Sequence, residues 1–479
     1  MCFYLFYCRE FGVFVNMKDI TNQFKDGKIL PLVFKLTIPA VIAQLITFLY
    51  NIVDRMYVAN IETIKTEALA ALGVILPITI IVQAFANLIG LGASPKASIK
   101  LGEKNNKEAN KIFNHSFFVL FCIGIVLTLI LFFFAKPIII LFGCPENSIL
   151  YATEYLKIYA LGTIFILLVQ GLNPFISAQG HSIIAMFTIL IGALLNVLLD
   201  PIFIFTFDLG VKGASLATIL AQFISFLWVL FFFLMKGSIF KIKFKEMKID
   251  YKLLGGILFL GLSPFIMTLT ESMIQIVFNV CLKTASDGKT STLTASLTIM
   301  LSALQLISLP LNGLGYGIAP YVSYNYGKGD RYRLNKGIQY TFILAFIFSI
   351  ILYLPSMFFP QLYAYVFNAD EAVTKIIQQY LPLFLMGTIM FSIQMTLQNV
   401  NVALGQGKTA ICLAVFRKVI LLIPLCFILT YTIGFKGVFL SEGIADLIAG
   451  TITGTVLFIS FPKVIKKREL EVAKQNILQ

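Results

Sequence analysis

The chain has 479 residues, 58% of them hydrophobic and only 13% charged, with 46 Phe. A soluble domain carries about twice that share of charge, which excludes a water-soluble globule. The net charge of +14 would suit nucleic acid, but most of the 37 Lys and Arg sit in alternate loops between apolar blocks. There they serve as orientation signals, and no nucleic-acid partner is expected.

The apolar blocks are long enough to cross a ~30 Å hydrocarbon core as helices. The alternation that marks transmembrane β-strands is absent. Twelve spans are predicted, near residues 32–58, 69–95, 112–135, 153–178, 182–206, 211–235, 255–284, 293–322, 337–359, 376–402, 409–432 and 436–461. Residues 1–31 precede them and are assigned to the cytoplasm. MCFYLFYCREFGVFVN (1–16) is too short to span, and translation is expected to begin at Met17. The first lobe then covers 32–235, a basic linker 236–254, the second lobe 255–461 and a cytoplasmic tail 462–479. The basic loops predict both termini in the cytoplasm of a cell-membrane protein.

A shift of 225 residues aligns the chain with itself. NLIGLGASPKASIKLGEKNNKEANK (87–111) pairs without gaps with NGLGYGIAPYVSYNYGKGDRYRLNK (312–336), identical at eight of 25 positions. Chance at ordinary residue frequencies gives about one or two. Pro39 pairs with Pro264 and Gly180 with Gly405; near the end the shift becomes 224. Each repeat holds six spans, so the halves share one orientation about a pseudo-twofold axis along the membrane normal. Such duplication is a transporter architecture. The expected class is an all-α polytopic membrane protein, twelve helices in two six-helix lobes.

Several segments resemble the multidrug and toxic compound extrusion (MATE) family, its bacterial branch in particular. They are IPAVIAQLITFLYNIVDRMYVANI, NVLLDPIFIF with GVKGASLATILAQ, and IAPYVSYNYGKGDRYR. The resemblance runs from about residue 30 to 465. It implies export of bulky, often cationic or amphipathic compounds, coupled to inward flow of protons or sodium, by alternating access.

Ionisable residues inside spans are candidates for function. Asp54, Asp200 and Thr218 fall at a common depth near one end of the first lobe, and Asn196 precedes Asp200 by four residues, on the same helix face. Oxygen donors of this kind suit a hard cation, and paired acids suit proton exchange. The alternative is that Asp54 pairs with Arg55 or another base. The resemblance matches this set to the family's N-lobe cation site, position by position, and Pro39 to its first-helix kink proline. In the second repeat Asp54 becomes Asn279 and Thr218 becomes Glu442. The second half instead carries Glu271, Glu442 and Asp446. Glu271 resembles the family's seventh-helix Glu, but the tenth span offers Gln394 and Gln398 where that pattern has an acid. Contact with a cationic substrate is the other reading of Glu271. Asp446 and Arg417 are read as a buried structural pair.

Substrate-cavity candidates are Gln44, Met267, Glu271, Gln275, Gln394 and Gln398, in a lining expected to be mostly apolar and aromatic. GQGKTA (405–410) lacks the earlier glycine of a phosphate loop and reads as a turn between helices. No cofactor and no metal beyond a coupling Na⁺ or H⁺ is expected. The partners expected are drug-like molecules and the bilayer, and the protein is expected to act as a monomer. A lipid-linked precursor flippase of related fold is the rival reading. An intramembrane enzyme is not favoured, because His115 and His181 are not placed for one.

Overall fold

The computed structural model describes residues 23–59, 61, 65–235, 237–285, 290–367 and 369–478. The proposed start at Met17 and the side chain of Arg55 lie outside the described residues. The long helices are α1 (Ile29–Ala59), α2 (Lys65–Gly102), α3 (Asn106–Phe133), α4 (Ile149–Ala178), α5 (Ser182–Thr206) and α6 (Gly210–Leu234). The second half repeats them as α7 (Tyr251–Thr284), α8 (Thr290–Lys328), α9 (Arg331–Phe358), α10, α11 (Gly407–Ile433) and α12 (Phe435–Leu478). Among the described residues eleven helices are long and apolar enough to cross a membrane. A bent pair, Glu371–Phe384 and Thr388–Ala403, makes α10 the twelfth span.

Four spans differ from the sequence reading. The span predicted as continuous over 376–402 is bent by 55°. Pro382 lies inside the first segment, two residues before its last residue Phe384, and removes a backbone donor near the bend. Gly387 opens the second, and a Cβ there would collide with Asp446 and Gly443 of α12. Helices α2, α8 and α12 also run past their predicted ends, to Gly102, Lys328 and Leu478. Beyond the apolar block a helix can continue through polar residues, which hydropathy alone does not register. Pro39 lies inside α1, which continues unbroken through it.

The two halves pack alike. In the first, α4 contacts α2, α3 and α6, while α5 contacts α1 and α6. In the second, α10 contacts α8, α9 and α12, while α11 contacts α7 and α12. The lobes meet where α1 and α2 cross α7 and α8. Glycines allow this approach, in pairs that follow the 225-residue shift. A Cβ on Gly102 would strike the Tyr324 carbonyl, and one on Gly327 the Ile99 carbonyl. Gly92 sits against Gly261 in the same way as Gly317 sits against Leu36.

This seam ends at the basic face of the bundle. There Arg468 of α12 pairs with Glu103 beyond α2 and lies over the Tyr326 ring at 5.6 Å. The N-terminal segment reaches the same face: Arg333 donates to the Gly27 carbonyl at 2.8 Å, and Phe24 meets Tyr324 edge-on. The linker between the lobes is strapped to the first lobe. Phe240 is fully buried, stacked on Phe113 at 5.4 Å, and Lys111 pairs with Asp250 at 2.9 Å. That hydrogen bond holds the Asp250 carboxyl below its usual range.

Candidate ion and substrate site

Asn196 and Asp200 stand one turn apart on α5 and are buried at 3% and 0% exposure. The Asn196 amide donates from Nδ2 to Asp200 Oδ1 at 3.2 Å and to Thr218 Oγ1 on α6 at 3.3 Å. Thr218 donates in turn to the Ala214 carbonyl of its own helix. Asp54 comes in from α1, and its carboxyl is within hydrogen-bonding reach of Asp200. The structure therefore brings together Asp54, Asn196, Asp200 and Thr218, which are 164 residues apart in sequence at the extremes (54 to 218).

Helix α5 changes character directly after Asp200. Pro201 closes its α-helical part, and Ile202–Thr206 form a π-helical turn. Such turns occur where a helix is shaped around a site. Asn196 Oδ1 and Asp200 Oδ2 are buried and accept no hydrogen bond from the described residues. Buried oxygens without partners are exceptional, and two carboxyls this close do not both stay ionised without positive charge beside them. A proton or a hard cation would supply it. No cluster of three or more His, Cys, Asp or Glu exists among the described residues.

Two tyrosines that sequence reasoning missed complete the surroundings. Tyr50 lies one turn before Asp54 on α1, close enough to feel the charge of both carboxyls. Tyr155 of α4 reaches Thr218. A signal was available for Tyr50, since position i−4 on a helix shares the face of Asp54. None existed for Tyr155, which only packing of α4 against α6 brings near.

A cavity of about 290 Å³ adjoins the site, between α1, α2, α4, α5, α6 and α8. Tyr50 belongs to its wall and links it to Asp54. Amides dominate the polar lining: Gln44, Gln83, Asn87, Gln170, Asn173 and Gln222. The lining remains mostly apolar as expected, but Tyr50 and Tyr316 are its only described aromatic residues, and α2 and α4 turn amides inward. Pro95 and its repeat mate Pro320 both line it.

Of the six proposed cavity residues, Gln44 lines this space. Met267 packs against the apolar core of the second lobe, and Gln275 is half-buried on α7. Gln394 and Gln398 are buried inside that lobe. Gln398 Nε2 bonds Ser263 Oγ and the Ala410 carbonyl, each at 3.2 Å, and so ties α10 to α7 and α11. Glu271 is exposed on α7 and electrostatically close to Lys418, Arg417 and Glu442, and to the cavity residue Tyr316.

The second lobe holds a separate ion cluster. Arg417 bonds Asp446 at 2.6 Å and Glu442 at 3.1 Å, with its guanidinium 4.1 Å above the Phe391 ring. Lys418 approaches Glu442 at 3.8 Å. The cluster occupies the place where the first lobe has Thr218, the repeat mate of Glu442.

The MatE family model matches residues 39–202 and 264–428, one block in each repeat and offset by the same 225 residues at their starts. The chain belongs to the MatE (multidrug and toxic compound extrusion) family. This MatE protein is 25% identical over 441 residues to the multidrug export protein MepA of Staphylococcus aureus strain MRSA252, across 91% of this chain and 95% of that protein. MepA of Staphylococcus haemolyticus is 24% identical over 436 residues, with 91% and 94% covered. Among solved structures, an outward-facing conformation of a multidrug resistance MATE family transporter superposes with a TM-score of 0.86 at 22% identity, covering 92% and 98% of the two chains. A transporter of the MOP superfamily from Pyrococcus furiosus gives 0.85 at 22% identity with the same coverage.

Proposed function

We propose that this MatE protein is a secondary multidrug exporter. It moves amphipathic or cationic organic compounds across the cell membrane in exchange for protons or sodium, with both termini in the cytoplasm. The observation that carries the coupling reading is the contact of Asp54 with Asp200, backed by the unpartnered oxygens of Asn196 and Asp200. The amide-rich cavity one turn away supports reciprocal occupancy. Substrate enters a space whose wall includes Tyr50, beside the carboxyls that release or take the ion. The likeness to MepA supports multidrug substrates. Positive-inside loops support the orientation. The protein acts as a transporter, not an enzyme.

The flippase reading is less well supported. A pyrophosphate-linked substrate calls for cations around the cavity, and its described lining contains no Lys or Arg.

Reconstituted protein loaded with a fluorescent organic cation tests the proposal. Proton and sodium gradients are imposed separately, and one of them is expected to drive efflux. Asp200→Asn is expected to cut gradient-driven transport at least ~10-fold, since an amide neither binds nor releases a proton. Wild-type efflux indifferent to both gradients, or full coupling in Asp200→Asn, would overturn it.

A further inference from the structure

On the outer side of the second lobe, α9, α10 and α12 enclose an open groove of about 680 Å³. Its walls are apolar, built from Phe342 on α9, Ile393 and Leu397 on α10, and Phe458, Phe461 and Ile465 on α12. Gly450 and Gly454 form the trough. A Cβ on Gly450 would run into Met390, so α12 lies directly on α10 there. Thr451 and Thr455 donate their hydroxyls to the Leu447 and Thr451 carbonyls one turn back. Their hydroxyls are thereby satisfied by the helix itself. From Gly450 to Ile465 the groove follows α12 for about 22 Å at ~1.5 Å per residue. That exceeds the ~15 Å depth of one leaflet.

The groove ends at the basic face. Lys463 follows the lining residue Ile459 by four positions, and Lys466 follows Pro462 by four, so both continue the lining rows of α12. Lys336 adjoins the lining residue Asn335 on α9, and Tyr332 one turn earlier is 68% exposed. Exposed tyrosine is favoured at a headgroup layer. The nearby acids are already engaged: Glu469 pairs with Arg331 at 3.6 Å and Glu471 with Arg468 at 3.7 Å. Lys336, Lys463, Lys466 and Lys467 form no ion pair among the described residues. An apolar trough of leaflet depth thus opens at a lip of uncompensated positive charge.

We propose that this groove is a binding site for an anionic phospholipid, one acyl chain along α12 and the phosphate against Lys463 and Lys466. A zwitterionic lipid would fill the trough, but the ammonium of its headgroup cancels its phosphate, so it brings no net negative charge to the lysines. The site is distinct from the cavity in the first lobe, so occupancy of one does not require the other.

Native mass spectrometry of the delipidated full-length protein tests this, titrated with dioleoyl-phosphatidylglycerol and, separately, dioleoyl-phosphatidylcholine. The glycerol lipid is expected to bind at least ~10-fold more tightly, as two surface lysines contribute. Lys463→Gln with Lys466→Gln is expected to erase that preference while leaving choline-lipid binding unchanged. Both side chains are exposed, so the fold is retained, as a thermal melt verifies. Thr455→Trp, filling the trough from another exposed position, is expected to weaken both lipids. Equal affinity of the wild type for the two lipids would overturn the proposal. So would phosphatidylglycerol binding unchanged in the lysine variant.

Discussion

At the scale of single residues, the two lobes treat buried charge in opposite ways. The first lobe brings the carboxyls of Asp54 and Asp200 together and leaves oxygens of Asn196 and Asp200 open. The second gathers Arg417 and Lys418 among Glu442 and Asp446 and closes most of its bonds. Among the described residues of that cluster, Glu442 Oε2 is the atom left without a partner. An ion exchanger needs the first arrangement, and a fixed strut needs the second. Arg417→Met should therefore destabilise strongly, by about 3–5 kcal/mol, because Asp446 is left buried without its cation and Glu442 keeps only the more distant Lys418. Adding Glu442→Gln and Asp446→Asn should recover most of that loss. Thermal unfolding in detergent reads both, and a mild single variant would contradict the strut. The identities of these residues were legible in the sequence as charges inside spans. Their grouping was legible for Asn196 and Asp200 through helix spacing, and not for Tyr155, which no local pattern connects to Thr218.

At the scale of elements, the linker between the lobes acts as part of the first lobe. Three side-chain carbonyls receive its backbone: Gln179 from Ile239 at 2.6 Å, Asn110 from Lys241 at 2.6 Å and Asn114 from Lys243 at 2.8 Å. Phe240 anchors it between Phe113 and Phe175. Movement between lobes is then expected to begin beyond Asp250, which Lys111 holds, and not within the strapped segment. Phe240→Ala should cost about 3–5 kcal/mol, seen as a lower melting temperature and faster proteolysis after the linker lysines. Unchanged proteolysis would show that the strap is dispensable. Sequence composition marked 236–254 as a basic linker. Its docking could not be read there, because the receiving amides lie 60 or more positions away.

At the scale of the whole molecule, duplication becomes a two-lobed body whose seam obeys the repeat. Gly102 with Tyr324 and Gly327 with Ile99 are one contact made twice. Gly327→Val would force a branched side chain against a backbone carbonyl, with no flexible atom to give way. It should open the seam at the basic face. Labelling of a Gln170→Cys cavity cysteine by an impermeant maleimide, applied from that face, should rise several-fold. No change in labelling would mean that this seam does not gate the cavity. The alternating-access reading depends on that outcome.

By itself the sequence determined the solvent of this protein, its twelve-span count and its twofold repeat, because hydropathy and duplication are local or periodic quantities. It also determined which charges lie in the bilayer. Only the tertiary structure decided how those charges group, where α10 bends and which amides line the cavity. It also decided that the apolar outer face of α12 forms a trough. Those outcomes depend on which helix faces meet, and a chain this uniformly apolar has little amphipathic pattern to say so.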